Sequence, residues 1–189
     1  ATLQAAQVDN SAGLILSTQA LDVNSQTLIN RATLGDDAAL GLQGQSVTLE
    51  AHQLDNSDGL ISADQSLSLA GQGTDSTLTN EGGKLTSSDS IELLVDNLRN
   101  AGGTVLAGVR NFIQTGTLTG AGRLLSHGDL SLKVSQDFVQ TGEIVANGQA
   151  DVSSDGRLTN QGSIEAGTLQ VQAANIDNTA TGEISGGDV

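Results

Sequence analysis

A three-residue pattern, an aliphatic residue, any residue and then asparagine, recurs along the chain at intervals close to 20 residues. Its copies end at Asn10, Asn30, Asn56, Asn80, Asn100, Asn160 and Asn178. Degenerate copies at 118–120 and 138–140 fill the gap, so the steps are 20, 26, 24, 20, 20, 20, 20 and 18 residues. Self-similarity at such a period indicates a solenoid, in which each repeat packs against its neighbours.

Two further patterns occupy the rest of each repeat. Glycine-x-aliphatic-x-small begins at Gly13, Gly59, Gly83, Gly103, Gly122, Gly142, Gly162 and Gly182, and we expect only the coil around residues 30–45 to lack it. Aliphatic-x-aliphatic lies between these segments, for example at 67–69 and 130–132. All three patterns alternate with period two, which indicates strands with one buried face, and no window has helical spacing over three turns.

The chain is therefore predicted to be all-β, a parallel β-helix with three short strands in each coil. Coils stacked at about 4.8 Å would make a rod of about nine coils, roughly 40 Å long. We expect residues 1–189 to form a single repeat segment. In this register Ile144, Ala146, Leu158 and Asn160 point inward, whereas the edges near Leu3 and Ile184 have no pairing neighbour and favour fraying or end-to-end self-association.

Composition supports a thin aliphatic core. The chain has two phenylalanines and no Trp, Tyr, Met, Pro or Cys, so large side chains cannot supply the buried area. Disorder is the alternative, given the polar content and the net charge of −15, but disordered chains lack regularly spaced aliphatic residues. The 22 acidic against 7 basic residues leave no basic stripe for nucleic acid.

Targeting and redox signals are missing from the sequence. No window approaches the roughly 20 apolar residues of a membrane span, and residues 1–30 lack a signal-peptide pattern, so we expect the chain to be a piece excised from a longer chain. The lack of cysteine argues against disulfide-stapled modules and thiolate zinc sites.

The repeated asparagine suggests a structural role at one corner of the coil. A side-chain amide donates and accepts, so Asn10, Asn30, Asn56, Asn80, Asn100, Asn160 and Asn178 are predicted to form a hydrogen-bonded ladder. The glycine about three residues later is expected to turn the corner at positive φ. The alternative is that both residue types simply mark turns.

The segments 78–87, LTNEGGKLTS, and 98–107, LRNAGGTVLA, resemble repeats of the filamentous haemagglutinin family. The family comprises exoproteins of two-partner secretion systems, including adhesins and the stalks of contact-dependent growth inhibition proteins. The resemblance covers essentially the whole chain. It implies a right-handed parallel β-helix that is exported through an outer-membrane transporter and displayed on the bacterial surface. Neither the family's amino-terminal secretion domain nor a toxin domain is recognisable, so the resemblance assigns the chain to the shaft.

An enzyme is the rival interpretation, because parallel β-helices also host polysaccharide lyases and hydrolases. Such sites gather carboxylates, basic residues or calcium, usually with aromatic platforms, and we expect no aromatic in a cleft here. His52 and His127 lie several coils apart and are expected to be exposed turn residues. The acidic pairs 36–37 and 55/58 fit no calcium motif. We therefore expect no catalytic residue, metal or cofactor.

A glycan- or receptor-binding adhesin module is the more serious alternative to a passive shaft. Two coils exceed the usual 20 residues, and the extra residues are expected to bulge as glycine-rich loops at Gly41, Gln43 and Gly44 and at Gly71, Gln72 and Gly73. Loops on repeat scaffolds often carry binding, but they are also where insertions cost least.

An aliphatic stripe is the second candidate interaction surface. The outward position of the glycine-containing pattern is aliphatic in three consecutive coils, at Leu106, Leu125 and Val145, and polar in the flanking coils. Arg123 and Glu143 are expected to form an ion pair beside it. The stripe either stabilises stacking or docks a neighbouring domain or filament, and the sequence favours stacking because patches of this size are common on monomers.

Overall fold

The computed structural model describes residues 1–35 and 40–187. These residues form 18 strands, and none of them lies in a helix long and apolar enough to cross a membrane. The strands are β1 Thr2–Asp9, β2 Leu14–Leu16, β3 Ala20–Ile29, β4 Gly41–Asp55, β5 Leu60–Gly71, β6 Thr77–Thr79, β7 Lys84–Ser87, β8 Ser90–Arg99, β9 Thr104–Ala107, β10 Arg110–Thr119, β11 Arg123–Ser126, β12 Asp129–Val134, β13 Phe138–Gln140, β14 Glu143–Ser154, β15 Arg157–Asn160, β16 Ser163–Gln172, β17 Asn175–Asn178 and β18 Glu183–Gly186.

Every strand pairing is parallel and joins equivalent segments of successive coils. In β9, for example, Val105 pairs with Leu85 of the coil before and with Leu124 of the coil after. Because each coil advances by about 20 residues, the described chain is a parallel β-solenoid of about nine turns, which confirms the predicted fold class.

Each coil has three faces, one for each sequence pattern. Face one carries the glycine-containing pattern, face two the aliphatic-x-aliphatic pattern, and face three the pattern that ends in asparagine. The three segments are separate strands in β11, β12 and β13, whereas β8 and β10 each run from face two across the corner into face three.

The core is a column of medium-sized aliphatic side chains, as the composition predicts. Ile144, Leu158 and Asn160 are 0% exposed and Ala146 is 3% exposed, so the predicted register is confirmed. Phe138, in a degenerate copy, takes the same inward place as the leucines of other coils and is fully buried. Burying each such large apolar side chain contributes about 1.5–3 kcal/mol.

The first long coil departs from the prediction. Gly41, Gln43 and Gly44 lie in β4 and not in a bulging loop, because Leu42 between them is the inward residue that pairs with Ile15 and Ile61. This segment supplies face one of the coil that was expected to lack it. The extra residues therefore lie earlier, between Asn30 and Leu40, and residues 36–39 of that stretch are outside the described part.

The terminal coils have one pairing neighbour each among the described residues. β1 pairs with β3, β17 with β15 and β18 with β16. Inward residues there are less covered than in the middle of the rod, and Ile176 is 48% exposed. The predicted open edges are therefore present in the described chain.

Candidate functional site

Asparagine side chains stack in register along the corner after face three. Each Nδ2 donates to the Oδ1 of the next asparagine, over 2.8 Å from Asn10 to Asn30, 2.7 Å from Asn30 to Asn56, and 2.8 Å from Asn56 to Asn80 and from Asn80 to Asn100. The same bond, of 2.9 Å, joins Asn160 to Asn178. The asparagine ladder expected from the sequence is therefore present on both sides of the degenerate coils.

The asparagine side chains also stabilise the turn at the corner of the coil. The Asn56 side chain donates a second hydrogen bond to the carbonyl oxygen of Gly59, at 3.0 Å, while the Gly59 amide donates to the Asn56 carbonyl. In the degenerate coils the ladder fails. Gln140 donates to the Ser163 carbonyl instead, and the buried Oδ1 of Asn160 is left with no hydrogen-bond partner. A glutamine therefore does not replace an asparagine in this column.

The glycine at this corner has a different role from the one predicted. Positive φ occurs one residue before it, at Ala12 (52°), Asp58 (50°) and Gly102 (64°), so the expectation of a left-handed glycine three residues after asparagine is wrong. A Cβ at Gly103 would overlap the carbonyl oxygen of Asn80 in the preceding coil. The glycine is required because successive coils approach too closely for any side chain.

Carboxylates beside the ladder serve as turn caps. Asp55 accepts hydrogen bonds from the Ser57 amide and hydroxyl, at 3.0 and 2.6 Å, and pairs with Arg31, whose Nε lies 2.7 Å away. Partial burial raises the pKa of Asp55, but the hydrogen bonds from Arg31 and Ser57 outweigh it and hold the pKa below its usual value. Asp9 and Ser11 form the same turn, which lowers the pKa of Asp9.

The acidic and histidine residues do not form a metal-binding cluster within the described ranges. No group of three or more His, Asp or Glu side chains there could hold a metal ion, and the pair 36–37 lies outside those ranges. His52 is half-buried in β4, with Nδ1 2.9 Å from the Gln72 carbonyl oxygen, so its prediction as an exposed turn residue is wrong. His127 is exposed in a bend.

The second predicted loop is only partly a loop. Gly71 is the last residue of β5, and Gln72 and Gly73 follow it in irregular structure, with Gly73 at a φ of 72°. Gln72 donates across two coils to Asn24, at 3.1 Å. The four residues by which this coil exceeds 20 lie here, because the inward residues Leu67 and Leu78 are 11 apart where the next coil has 7.

The aliphatic stripe is stacked but not fully exposed. Leu125 pairs with Leu106 and Val145 on either side, and all three side chains are half-buried. Arg123 and Glu143 form the expected ion pair, 2.8 Å apart and about half exposed. Mutual cover between the three side chains is consistent with a stacking role, and docking of a partner at the stripe stays a proposal.

Sequence reasoning missed one surface residue. Phe112 lies on the outward side of β10, half-buried, with the Arg110 guanidinium 5.4 Å from the ring centroid. The signal was available, because Asn111 and Ile113 are the inward residues of this segment and the alternation places Phe112 outside.

Comparison with known proteins supports the reading of the repeats. The haemagglutinin repeat pattern matches residues 1–43, 32–79, 46–111, 106–162 and 164–189. A curated relative, tRNA nuclease CdiA of Escherichia coli (strain STEC_O31), is 36% identical over 74 residues. That alignment covers 39% of this chain and 2% of the relative, so the chain spans a small fraction of that protein's length. No solved structure matches significantly.

Proposed function

The chain belongs to the haemagglutinin repeat family and forms a filamentous-haemagglutinin-like shaft segment, and from this we propose that it acts as a spacer in a longer secreted exoprotein. The spacer holds an adhesive or toxin-bearing region away from the bacterial surface. Residues 1–189 are one repeat segment of that filament and have no catalytic role.

The coil-to-coil continuity of the described strands carries this proposal. Internal coils pair with a coil on each side, and the ladder from Asn10 to Asn100 ties five coils together. Such a rod gains length in proportion to coil number, at about 4.8 Å per coil, without any change in its cross-section. A spacer needs this property and an enzyme does not.

Export and location follow from the family. We propose that an outer-membrane two-partner secretion transporter exports the parent protein and that the shaft lies outside the cell. The lack of cysteine suits passage in an unfolded state, because a disulfide formed too early would block it. The nuclease named for the relative is a property of that protein. The proposal takes two forms, in which the parent of this chain is either an adhesin or a toxin-bearing filament.

Changing the length of the segment in the parent exoprotein tests the spacer function. Duplicating residues 1–189 should move a labelled distal region outward by about 40 Å in tomograms of intact cells, with surface display unchanged. Deleting the segment should shorten the filament and leave target-cell binding intact once length is restored with another repeat solenoid. Loss of binding that a length-matched solenoid does not restore would contradict the spacer role and support an adhesin.

A further inference from the structure

Face two carries an outward aromatic residue that the solenoid does not need. Phe112 lies in the middle of this face, with Glu92 and Ser131 as its pairing neighbours in the coils before and after. The other residues of the same outward column are small or polar: Asp22, Thr48, Ser68, Glu92, Ser131, Asp151 and Gln170. The aromatic ring is therefore not part of a repeated column of like side chains.

A cation lies over the half-buried ring of Phe112. Arg110, two residues earlier in β10, lies over the ring at 5.4 Å from the centroid. Gln114 lies two residues after Phe112 in the same strand and is an exposed residue on the same outward side. Beside Gln114, in the preceding coil, Leu94 is 38% exposed. Phe112 and Leu94 together offer an apolar surface that is bordered by polar groups.

The polar side chains around the ring have no hydrogen-bond or ion-pair partner among the described residues. Arg110, Glu92 and Gln114 are exposed, and none of them has a side-chain hydrogen bond or an ion pair within the described residues. Some outward polar side chains elsewhere do bind one another, as in Asn24 with Glu50 (2.7 Å), Thr117 with Asn97 (2.8 Å) and Gln149 with Asp151 (3.0 Å). The ring is thus bordered by a cation, an anion and an amide whose donors and acceptors remain available.

A groove continues from this surface toward the inserted loop. It has a volume of about 470 Å³, and its lining includes Gln114 and Leu94 together with Gly71, Gly73 and Ser76. The extra segment of the long coil therefore contributes to the lining of the groove. A ligand longer than the ring could extend from Phe112 into it.

We propose that Phe112, Arg110, Glu92 and Gln114 bind a hexopyranose unit of a neutral glycan, with the next sugar units in the groove. A pyranose presents an apolar C–H face, which packs on an aromatic ring, and a rim of hydroxyls that donate and accept hydrogen bonds. Arg110 donates to these hydroxyls, Glu92 accepts from them, and Gln114 does both. The net charge of −15 disfavours anionic sugars. This site goes beyond the spacer function, which needs no ligand.

Saturation-transfer NMR tests the site, with irradiation of the aliphatic methyl protons, which the parent chain and the Phe112→Ser protein share. This irradiation should transfer saturation to cellotriose, maltotriose or N-acetyllactosamine. Phe112→Ser, which restores the small residue of the adjacent coil, should abolish the transfer, and Arg110→Gln should weaken binding at least about ten-fold. Val139→Thr, a change at an exposed outward residue of face three, is the matched control and should bind normally.

The outcomes separate the glycan site from the alternatives. Circular dichroism should show that Phe112→Ser and Arg110→Gln keep the β spectrum, and if Phe112→Ser unfolds, Arg110→Gln decides alone. No transfer to any of the three neutral sugars would overturn the proposal. Equal transfer in the Phe112→Ser protein, or binding of sialyllactose alone, would do so as well. None of these results would change the spacer function.

Discussion

Removing one rung from the middle of the asparagine ladder should destabilise the rod far more than removing its last rung. Asn80→Ala deletes the acceptor of Asn56 and the donor to Asn100, both at 2.8 Å and both buried. Asn56 keeps its bond to Gly59, whereas Oδ1 of Asn100 loses its donor within the ladder. An orphaned buried polar group costs about 1–3 kcal/mol, so the total loss should be about 2–4 kcal/mol.

Asn178→Ala is the matched control. Asn178 is exposed and accepts one hydrogen bond from Asn160, which keeps its bonds to the carbonyls of Gly162 and Glu183, so the loss should stay below about 1 kcal/mol. The stability loss of Asn80→Gln should lie between these two values. The natural glutamine in this column, Gln140, leaves Asn160 without a donor, so a glutamine at position 80 should restore the ladder only in part.

Urea unfolding followed by far-ultraviolet circular dichroism measures these differences, since the β signal reports on the whole rod. Equal midpoints for Asn80→Ala and Asn178→Ala, with unchanged slopes, would refute the ladder as a source of stability. They would instead favour the interpretation that asparagine only marks a turn.

Three further changes have defined outcomes. In the same unfolding assay Gly102→Ala should cost about 1–2 kcal/mol, because its φ is positive while a Cβ there comes no closer than 4.0 Å to its nearest neighbour, the Gly82 amide nitrogen. Gly103→Ala should cost well over that, because a Cβ at Gly103 overlaps the Asn80 carbonyl; equal losses would contradict this. Stability should decline below about pH 4 as Asp55 is protonated, because its pKa is lower in the folded chain, and Asp55→Asn should make that decline shallower; an unchanged pH profile would remove Asp55 as a cause. Changing Leu106, Leu125 and Val145 together to Thr should lower the melting temperature and leave self-association unchanged. Weaker association at an unchanged melting temperature would instead show that the stripe is a docking surface.

The architecture could be predicted from sequence because its cause is local and repeated. Alternation fixes which residues point inward, and the period fixes which residues stack, so Ile144 and Asn160 were placed correctly without any structure. The insertion was harder to place. Gly41 and Gly44 have loop-like composition, but the single inward residue Leu42 holds them in the sheet, and pairing with two neighbouring coils outweighs local propensity.

The roles of single residues were less accessible. Glycine suits both positive φ and close approach of two backbones, and only the structure shows that Gly103 is needed for the second reason. Alternation alone would have put Phe112 on the surface. The position of Arg110 over the ring depends on side-chain conformations that no repeat pattern encodes. The same is true of the missing hydrogen-bond partners of the neighbouring polar side chains.

In this account the coil is the structural unit of the shaft. The most direct test compares a variant that lacks one whole coil with a variant that lacks half a coil. Removing residues 81–100 joins Asn80 to Ala101, Gly102 and Gly103, which rebuilds the same corner and keeps every remaining segment on its face. Removing residues 81–90 deletes face one of that coil and shifts the register. Hydrogen exchange should show the whole-coil variant as protected as the parent chain and the half-coil variant as unprotected. Equal protection in the two variants would contradict the account.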